Sequence, residues 1–496
     1  MTPSLPTPTI RYLSVLSSSV HWHTLQDPSP MASKESKEEI HLLMVTLTAQ
    51  GHLNPMLRLG KRLLDQGLHV TLATTEIGGL RMLKAAAITN TTTATISGIR
   101  LLFFPDGFSL DYNRGANLDH YMESLSKTGP GSLSNLIKQH YHTTKLACII
   151  TNPFVSWAVD AALENGVPCA MLWIQPCSLY AIYYRFYNKL NQFDMCTIEL
   201  PGLPLLHADD LPSFLRPSNS FGGVSRMLSD MFRSMKKHKC VLANSFFELE
   251  KEAIESMSEL CPIIPVGPLV PPSLLGQHQA LDVGIEIQKP DETSLEWLNK
   301  QSPASVIYVS FGSMAVLSAK LTEAIATALK NTKHPFLWVV KRPEVPSADG
   351  AGELPLWFGE ETKTQGLVVP WSPQTKVLSH PSIACFITHC GWNSMLETLV
   401  AGVPVIAYPQ WSDQPTNAKL VVDVFKVGVR IKPGPDGVVS NAEIEECINQ
   451  VLSGPDFEEL KKNAAVWKQA AREAVTTAGS SDRNILLFVN EIASSC

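Results

Sequence analysis

The tightest constraint on this chain lies at residues 383–402. There an apolar run, 383–387, passes through Thr388-His389-Cys390-Gly391 into Asn393, Ser394 and the helix-like MLETLVAG. This is a strand, a tight turn and a helix N-terminus in succession. Such a turn aims free backbone N–H groups and the positive end of a helix dipole at one spot, and Gly391 lets the backbone approach closely. The spot suits an anion. His389, Asn393 and Ser394 add side-chain donors, while Trp371 and Trp392 offer flat surfaces for a base or a sugar ring. Together these residues point to a nucleotide diphosphate.

The same alternation runs through the chain. Apolar runs at 40–47, 68–74, 99–104, 147–151, 169–174 and 240–243 read as buried strands, with helical patterns at 55–66 and 153–165. A second series, 306–309, 336–340, 367–369, 384–388 and 405–408, is interleaved with helices at 319–330 and from near Asn393 and Gln414, and 456–495 reads largely as helix. Strands alternating with helices predict an α/β fold with doubly wound parallel sheets. A chain of 496 residues exceeds what one core usually serves, so two such domains are expected. The Pro-rich run PIIPVGPLVPP at 262–272, followed by weakly periodic residues to 292, marks the boundary. The expected organisation is a first domain at 39–261, a linker at 262–292, a second domain at 293–480 and a last helix at 481–496. Residues 1–38 read as a disordered extension, the first thirty being rich in Ser, Thr and Pro without the pattern of a secretory signal, and Met31 is a natural start.

Composition narrows the function classes. A formal net charge of −6 with 17% charged residues supplies no general attraction for nucleic acid or an anionic membrane. No apolar window of about 18 residues predicts a membrane span. The ten cysteines are scattered without a CxxC pair, which argues against a zinc site or a disulfide framework and for a reducing, cytoplasmic compartment.

Residues 371–414, WSPQTKVLSHPSIACFITHCGWNSMLETLVAGVPVIAYPQWSDQ, resemble over all 44 positions the signature box of plant secondary-product glycosyltransferases, which use UDP-sugars. The resemblance implies the glycosyltransferase-B architecture, two Rossmann-like domains facing across a cleft, with the last helix crossing back to the first domain. It implies that Trp371 stacks on uracil and that Gln374 and Glu397 meet the ribose. His389, Asn393 and Ser394 would hold the phosphates, and Trp392, Asp413 and Gln414 the sugar hydroxyls. Aromatic stacking on a base is worth roughly 1–3 kcal/mol. In the family, Trp at 392 and Gln at 414 go with glucose, so UDP-glucose is the implied co-substrate, with no tightly bound cofactor and a monomeric enzyme.

Gly51-His52-Leu53-Asn54-Pro55 follows the first strand, where open α/β sheets place ligands, and His is the natural general base near neutral pH. In similar proteins the matching His deprotonates the acceptor. The implied reaction is direct displacement at the anomeric carbon of UDP-α-glucose with inversion. The helix start near Asn393, with His389, Ser394 and the Gly312-Ser313 turn, would neutralise the departing diphosphate without a metal. Many relatives carry Asp where this chain has Asn152. An amide orients an imidazole but does not stabilise imidazolium by charge; the competing reading is that Asn152 caps the helix Pro153 opens. Asn152-Pro153-Phe154, AMLWIQPC at 170–177 and LPSFLRPS at 211–218 resemble the branch that glucosylates phenolic acids such as hydroxycinnamates and gallate. The acceptor pocket is expected from 108–120 and 173–187.

Three acceptor chemistries stay open: a glucose ester, a phenolic O-glucoside and a C-glucoside on an electron-rich ring. A non-catalytic glycoside-binding protein on the same scaffold is the reading from another class. A dehydrogenase is disfavoured because no GxGxxG follows a predicted strand, and Gly129-Pro130-Gly131 is expected in a loop.

Overall fold

Continuous apolar runs such as LLMV, ACIIT, VIYVS and ACFIT leave no polar face to turn to water, so they form parallel strands covered on both sides. The computed structural model describes residues 39–496 apart from 89–93, 116, 194–195, 278, 287–290, 292, 342–349 and 495–496; the expected extension at 1–38 lies outside the described residues. The first sheet contains β1 (His41–Val45), β2 (His69–Thr75), β3 (Thr95–Ile96), β4 (Ile99–Phe104), β5 (Leu146–Thr151) and β6 (Cys169–Trp173). After a small antiparallel pair, β7 (Thr197–Ile198) and β8 (Leu206–His207), it is completed by β9 (Cys240–Ala243) and β10 (Ile263–Pro265). Its order is β10-β9-β6-β5-β1-β2-β4-β3, parallel except for the β3–β4 pair. The second sheet is wholly parallel and comprises β11 (Val306–Ser310), β12 (Phe336–Val339), β13 (Gly366–Val369), β14 (Ile383–Thr388), β15 (Val405–Ala407) and β16 (Gly428–Arg430), in the order β13-β12-β11-β14-β15-β16. Burying each Leu, Ile or Val of these strands contributes about 1.5–3 kcal/mol.

Each sheet reverses its direction of growth once, between β1 and β5 in the first and between β11 and β14 in the second. Ligands of open α/β sheets bind outside the carboxyl ends of strands at such switch points. His52 and Asn152 follow β1 and β5, while Gly312 and His389 follow β11 and β14.

Several expected elements shift. The first helix is Gln50–Asp65, so His52 lies in its first turn and not in a loop, and Pro55 is interior. Proline has no N–H, so the carbonyl four residues back, that of Gly51, lacks its intrahelical donor. The helix expected at 153–165 splits into a 3-10 turn, Pro153–Val155, and a helix, Ala158–Glu164. Thr151 Oγ1 donates to Val155 O (2.8 Å), occupying the carbonyl that a continuous helix would use. Gly129-Pro130-Gly131 is not a loop but lies within the helix Leu118–His140, where a side chain on Gly129 would strike the Trp157 ring at 2.6 Å. The Pro-rich connector supplies β10, the edge of the first sheet. The last helix, Ser480–Ser494, places Ile485, Phe488 and Ile492 in the core formed by β1, β2 and β5, and Asn484 donates to Pro265 O (2.8 Å).

Candidate active site

At the second switch point, Cys390 adopts a left-handed φ of +64° and Gly391 precedes the helix Trp392–Ala401. A Cβ on Gly312 or on Gly391 would lie 2.7 or 2.6 Å from His389 Nε2, so the imidazole edge fits between two backbones that only glycine allows this close. Burial pushes the His389 pKa down to about 4, so the ring is neutral at physiological pH. Beside it, Gln374 Nε2 donates to Ser394 Oγ (2.9 Å) and to Glu397 Oε2 (2.8 Å), bringing these three expected ligands together. Burial raises the Glu397 pKa to about 7, with the Gln374 bond opposing it. Trp371 stands at the mouth, its Nε1 3.4 Å from Glu286 Oε2. Asp413 Oδ2 accepts from Asn417 Nδ2 (2.7 Å), and Gln414 Oε1 accepts from the backbone N–H groups of Gln410 (2.9 Å) and Trp411 (3.1 Å). Ser313 offers its carbonyl to the Lys341 ammonium.

Facing this cradle, His52 stacks at a tilt on Phe154, with ring centroids 4.5 Å apart. Its Nδ1 is enclosed and has no hydrogen-bond partner among the described residues. Burial pushes its pKa down to about 4, although part of the residue's surface stays open to the cleft. The two halves meet at this point: Asn393 Nδ2 donates to Gly51 O (2.8 Å), the carbonyl left without a helical donor by Pro55.

Comparison with known proteins gives the family. Residues 270–467 match the model of the family described as UDP-glucoronosyl and UDP-glucosyl transferase. A gallate 1-beta-glucosyltransferase of Punica granatum is 42% identical, covering 92% of this chain and 90% of that one. The chain belongs to the UDP-glycosyltransferase family. A cinnamate beta-D-glucosyltransferase of Fragaria ananassa is 41% identical to this UDP-glycosyltransferase, over 92% of its length and 83% of the relative's. The crystal structure of Os79 from O. sativa in complex with UDP superposes with a TM-score of 0.79 at 30% identity, covering 91% of this chain and 100% of that one. The glycosyltransferase-B fold and the use of a UDP-sugar follow.

Two expectations for the transferase need correction. The Trp392 indole is not a flat surface in the cleft. It is buried, and its Nε1 donates to Asn244 O (2.8 Å) across the domain interface, because the helix start turns it toward the core around Phe246. Its backbone N–H instead helps hold the Asp413 carboxylate. Asn152 does not orient His52. Its Nδ2 donates to Thr46 Oγ1 (2.6 Å) and its Oδ1 accepts from Phe154 N (3.2 Å), which is the capping role. The 173–187 segment is also more closed than a pocket wall, since Trp173, Tyr180 and Tyr183 are sealed against Phe232. The 108–115 part of the expected 108–120 wall is organised by Asp106, which accepts from Arg114 Nε (2.6 Å) and Nη2 (2.9 Å) and from Phe108 N (3.1 Å).

Other residues escaped the sequence reading. The Tyr308 hydroxyl bonds Ser372 Oγ (3.0 Å) and Gln374 Oε1 (3.4 Å), setting the amide that holds Ser394 and Glu397. A strap at 282–286 lies along the His52 helix: Arg58 pairs with Asp282, Asn54 exchanges bonds with Ile285, and Gln50 donates to the same Glu286 oxygen that faces Trp371. LPSFLRPS, a stretch the sequence does single out, docks on the loop that leads into Asp413 and Gln414. Ser213 N donates to Ser412 O (2.9 Å) and Ser412 N to Ser213 Oγ (2.7 Å), holding Ser412 at φ +61° just before Asp413 and Gln414. These partners lie 64 to 236 positions apart in the chain, so no local pattern announces them.

Proposed function

We propose that this transferase moves glucose from UDP-glucose, with inversion, to the carboxyl group of a small aromatic acid, giving a 1-O-β-glucose ester. The carrying observation is that His52 has no acidic partner among the described residues: the amide of Asn152 is engaged elsewhere, and burial lowers the imidazole pKa to about 4. A base that weak is poorly matched to a phenol, whose pKa lies near 10, but a carboxylic acid arrives ionised and needs no proton removed. The relatives' names support the same chemistry, since cinnamate has no hydroxyl and offers only its carboxylate to a glucosyl donor.

In the proposed step, a carboxylate oxygen attacks the anomeric carbon from the face opposite the diphosphate. The bond from that carbon to the leaving oxygen breaks, and its electron pair departs with UDP. The N–H groups at the start of Trp392–Ala401, with His389, Ser394 and the Gly312 turn, meet the charge that develops. Trp371 would receive uracil, Gln374 and Glu397 the ribose, and Asp413 with the amide of Gln414 the glucose hydroxyls. Binding of the diphosphate by Asn393 would compete with its bond to Gly51 O. Cys169, Cys177, Cys240, Cys261, Cys385, Cys390 and Cys447 are in no disulfide among the described residues, which supports work in a reducing cytoplasm; we propose a monomer there. Among the described residues no helix is long and apolar enough to cross a membrane.

The test is purified enzyme with UDP-glucose and, separately, cinnamate, 4-hydroxycinnamate and the methyl ester of the latter. A product from cinnamate that mild alkali cleaves supports the proposal. Turnover of the methyl ester alone would replace it with phenol glucosylation, and an acid-stable product with C-glucosylation.

A further inference from the structure

We infer that Glu39, His41 and His69 form a site for one divalent transition-metal ion at the end of the first sheet remote from the cleft. His41 opens β1 and His69 opens β2, and the two are direct register partners on adjacent parallel strands. Residues so paired project to the same face. Their rings stack with centroids 4.7 Å apart and planes 16° from parallel. Glu39, two residues before His41 and therefore on the same face, closes the group: its Oε2 lies 3.4 Å from His41 Nε2 and 3.8 Å from His69 Nε2. All three donor atoms fall within 4.8 Å of one another.

A tetrahedral ion with bonds of about 2.0–2.2 Å holds its ligands roughly 3.3–3.6 Å apart. The two carboxylate-to-imidazole separations already lie close to that range. Closing the gap between the imidazoles needs only side-chain rotation, for which His69 and Glu39 have room at 54% and 70% side-chain exposure, while the sheet holds both backbones. Two imidazoles and one carboxylate suit Zn²⁺, Co²⁺, Ni²⁺ or Cu²⁺, with water in the fourth position, and not the all-oxygen preference of Mg²⁺ or Ca²⁺. Arg100, whose charge reaches His41, is turned toward His140 Nδ1 at 3.2 Å; it weakens the site without blocking it. The site stands at the amino ends of β1 and β2, whereas His52 lies beyond the carboxyl end of β1, which is about 13 Å from His41 at the usual strand rise. Such an ion ties the first two strands together and takes no part in transfer.

The test uses the full, untagged chain after chelator treatment. Co²⁺ is titrated with its visible absorption recorded, and Zn²⁺ by calorimetry. The expected result is one ion per chain at micromolar concentration, with a melting temperature raised by at least ~2 °C when saturated. His41→Ala and His69→Ala should each weaken binding at least tenfold, and Glu39→Gln should shift the cobalt bands. Both histidine variants replace partly or largely exposed side chains, so each should stay folded, and unchanged turnover confirms it. Equal affinity in the His41→Ala/His69→Ala double variant, or binding only at millimolar metal, overturns the assignment.

Discussion

Asn152 uses both ends of its amide on Thr46 and Phe154, and Phe154 in turn lies against His52. An Asp there keeps the cap, since its oxygen still accepts from Phe154 N, but adds a negative charge near the imidazole. Asn152→Asp should therefore raise the His52 pKa from about 4 and favour phenols over free acids. The measure is kcat/KM for a phenolic acid and for its methyl ester; the ester-to-acid ratio should rise several-fold, and equal changes would leave Asn152 as a cap alone. Glu397 offers a separate check through pH. Its carboxyl is raised from about 4.5 to about 7 in the fold, so the stability of the neutral form is fully present below pH 4.5 and is lost as pH rises through 7. Glu397→Gln, neutral at every pH, should gain on the wild type between pH 5 and pH 8 by about 1 kcal/mol, after allowance for partial exposure. Urea unfolding at the two pH values reads the difference directly.

At the scale of elements, the Gly51 carbonyl joins a local rule to a distant contact. Pro55 denies it a helical donor and Asn393 supplies one from the other half. Pro55→Ala restores an N–H that competes for that carbonyl, so the variant should melt at an equal or higher temperature while its KM for UDP-glucose shifts, with KM for the acceptor unchanged. Ser213→Ala removes the hydroxyl that receives Ser412 N, at a cost of about 0.5–1.5 kcal/mol in one hydrogen bond. KM for UDP-glucose should rise roughly 2- to 10-fold, and preference for UDP-glucose over UDP-galactose should narrow, because Asp413 and Gln414 follow Ser412 directly. The strands were legible in the sequence because burial on both faces leaves continuous apolar runs, and the 371–414 cradle because most of its parts are contiguous. The start of the His52 helix was not legible: Ala49 makes no side-chain cap, and Pro55, usually a first-turn residue, sits well inside. Nor could spacing reveal where Trp392 points, since its partner Asn244 lies 148 residues away.

Across the whole molecule, two switch points face each other, and what joins them includes hydrogen bonds at Gly51, Asn244 and Ser213, the Asp210 carboxylate pairing with Arg430 (2.7 Å), and apolar contacts of Phe246 with the second core and of Trp411 with Phe214. The last helix is a different kind of join, because Ile485, Phe488 and Ile492 complete the apolar core of the first sheet. Phe488→Ala should cost about 3–5 kcal/mol and lower the melting temperature of the first half, as calorimetry would show. The first sheet and the last helix are thus one packing unit. A recombinant enzyme that takes its first half from one relative and its second half from another inherits a mismatched core if the crossover is made only once, near residue 290. Two crossovers, the second just before Ser480, keep the final helix with the sheet it covers, and exchange of sugar preference between relatives should succeed far more often by that route.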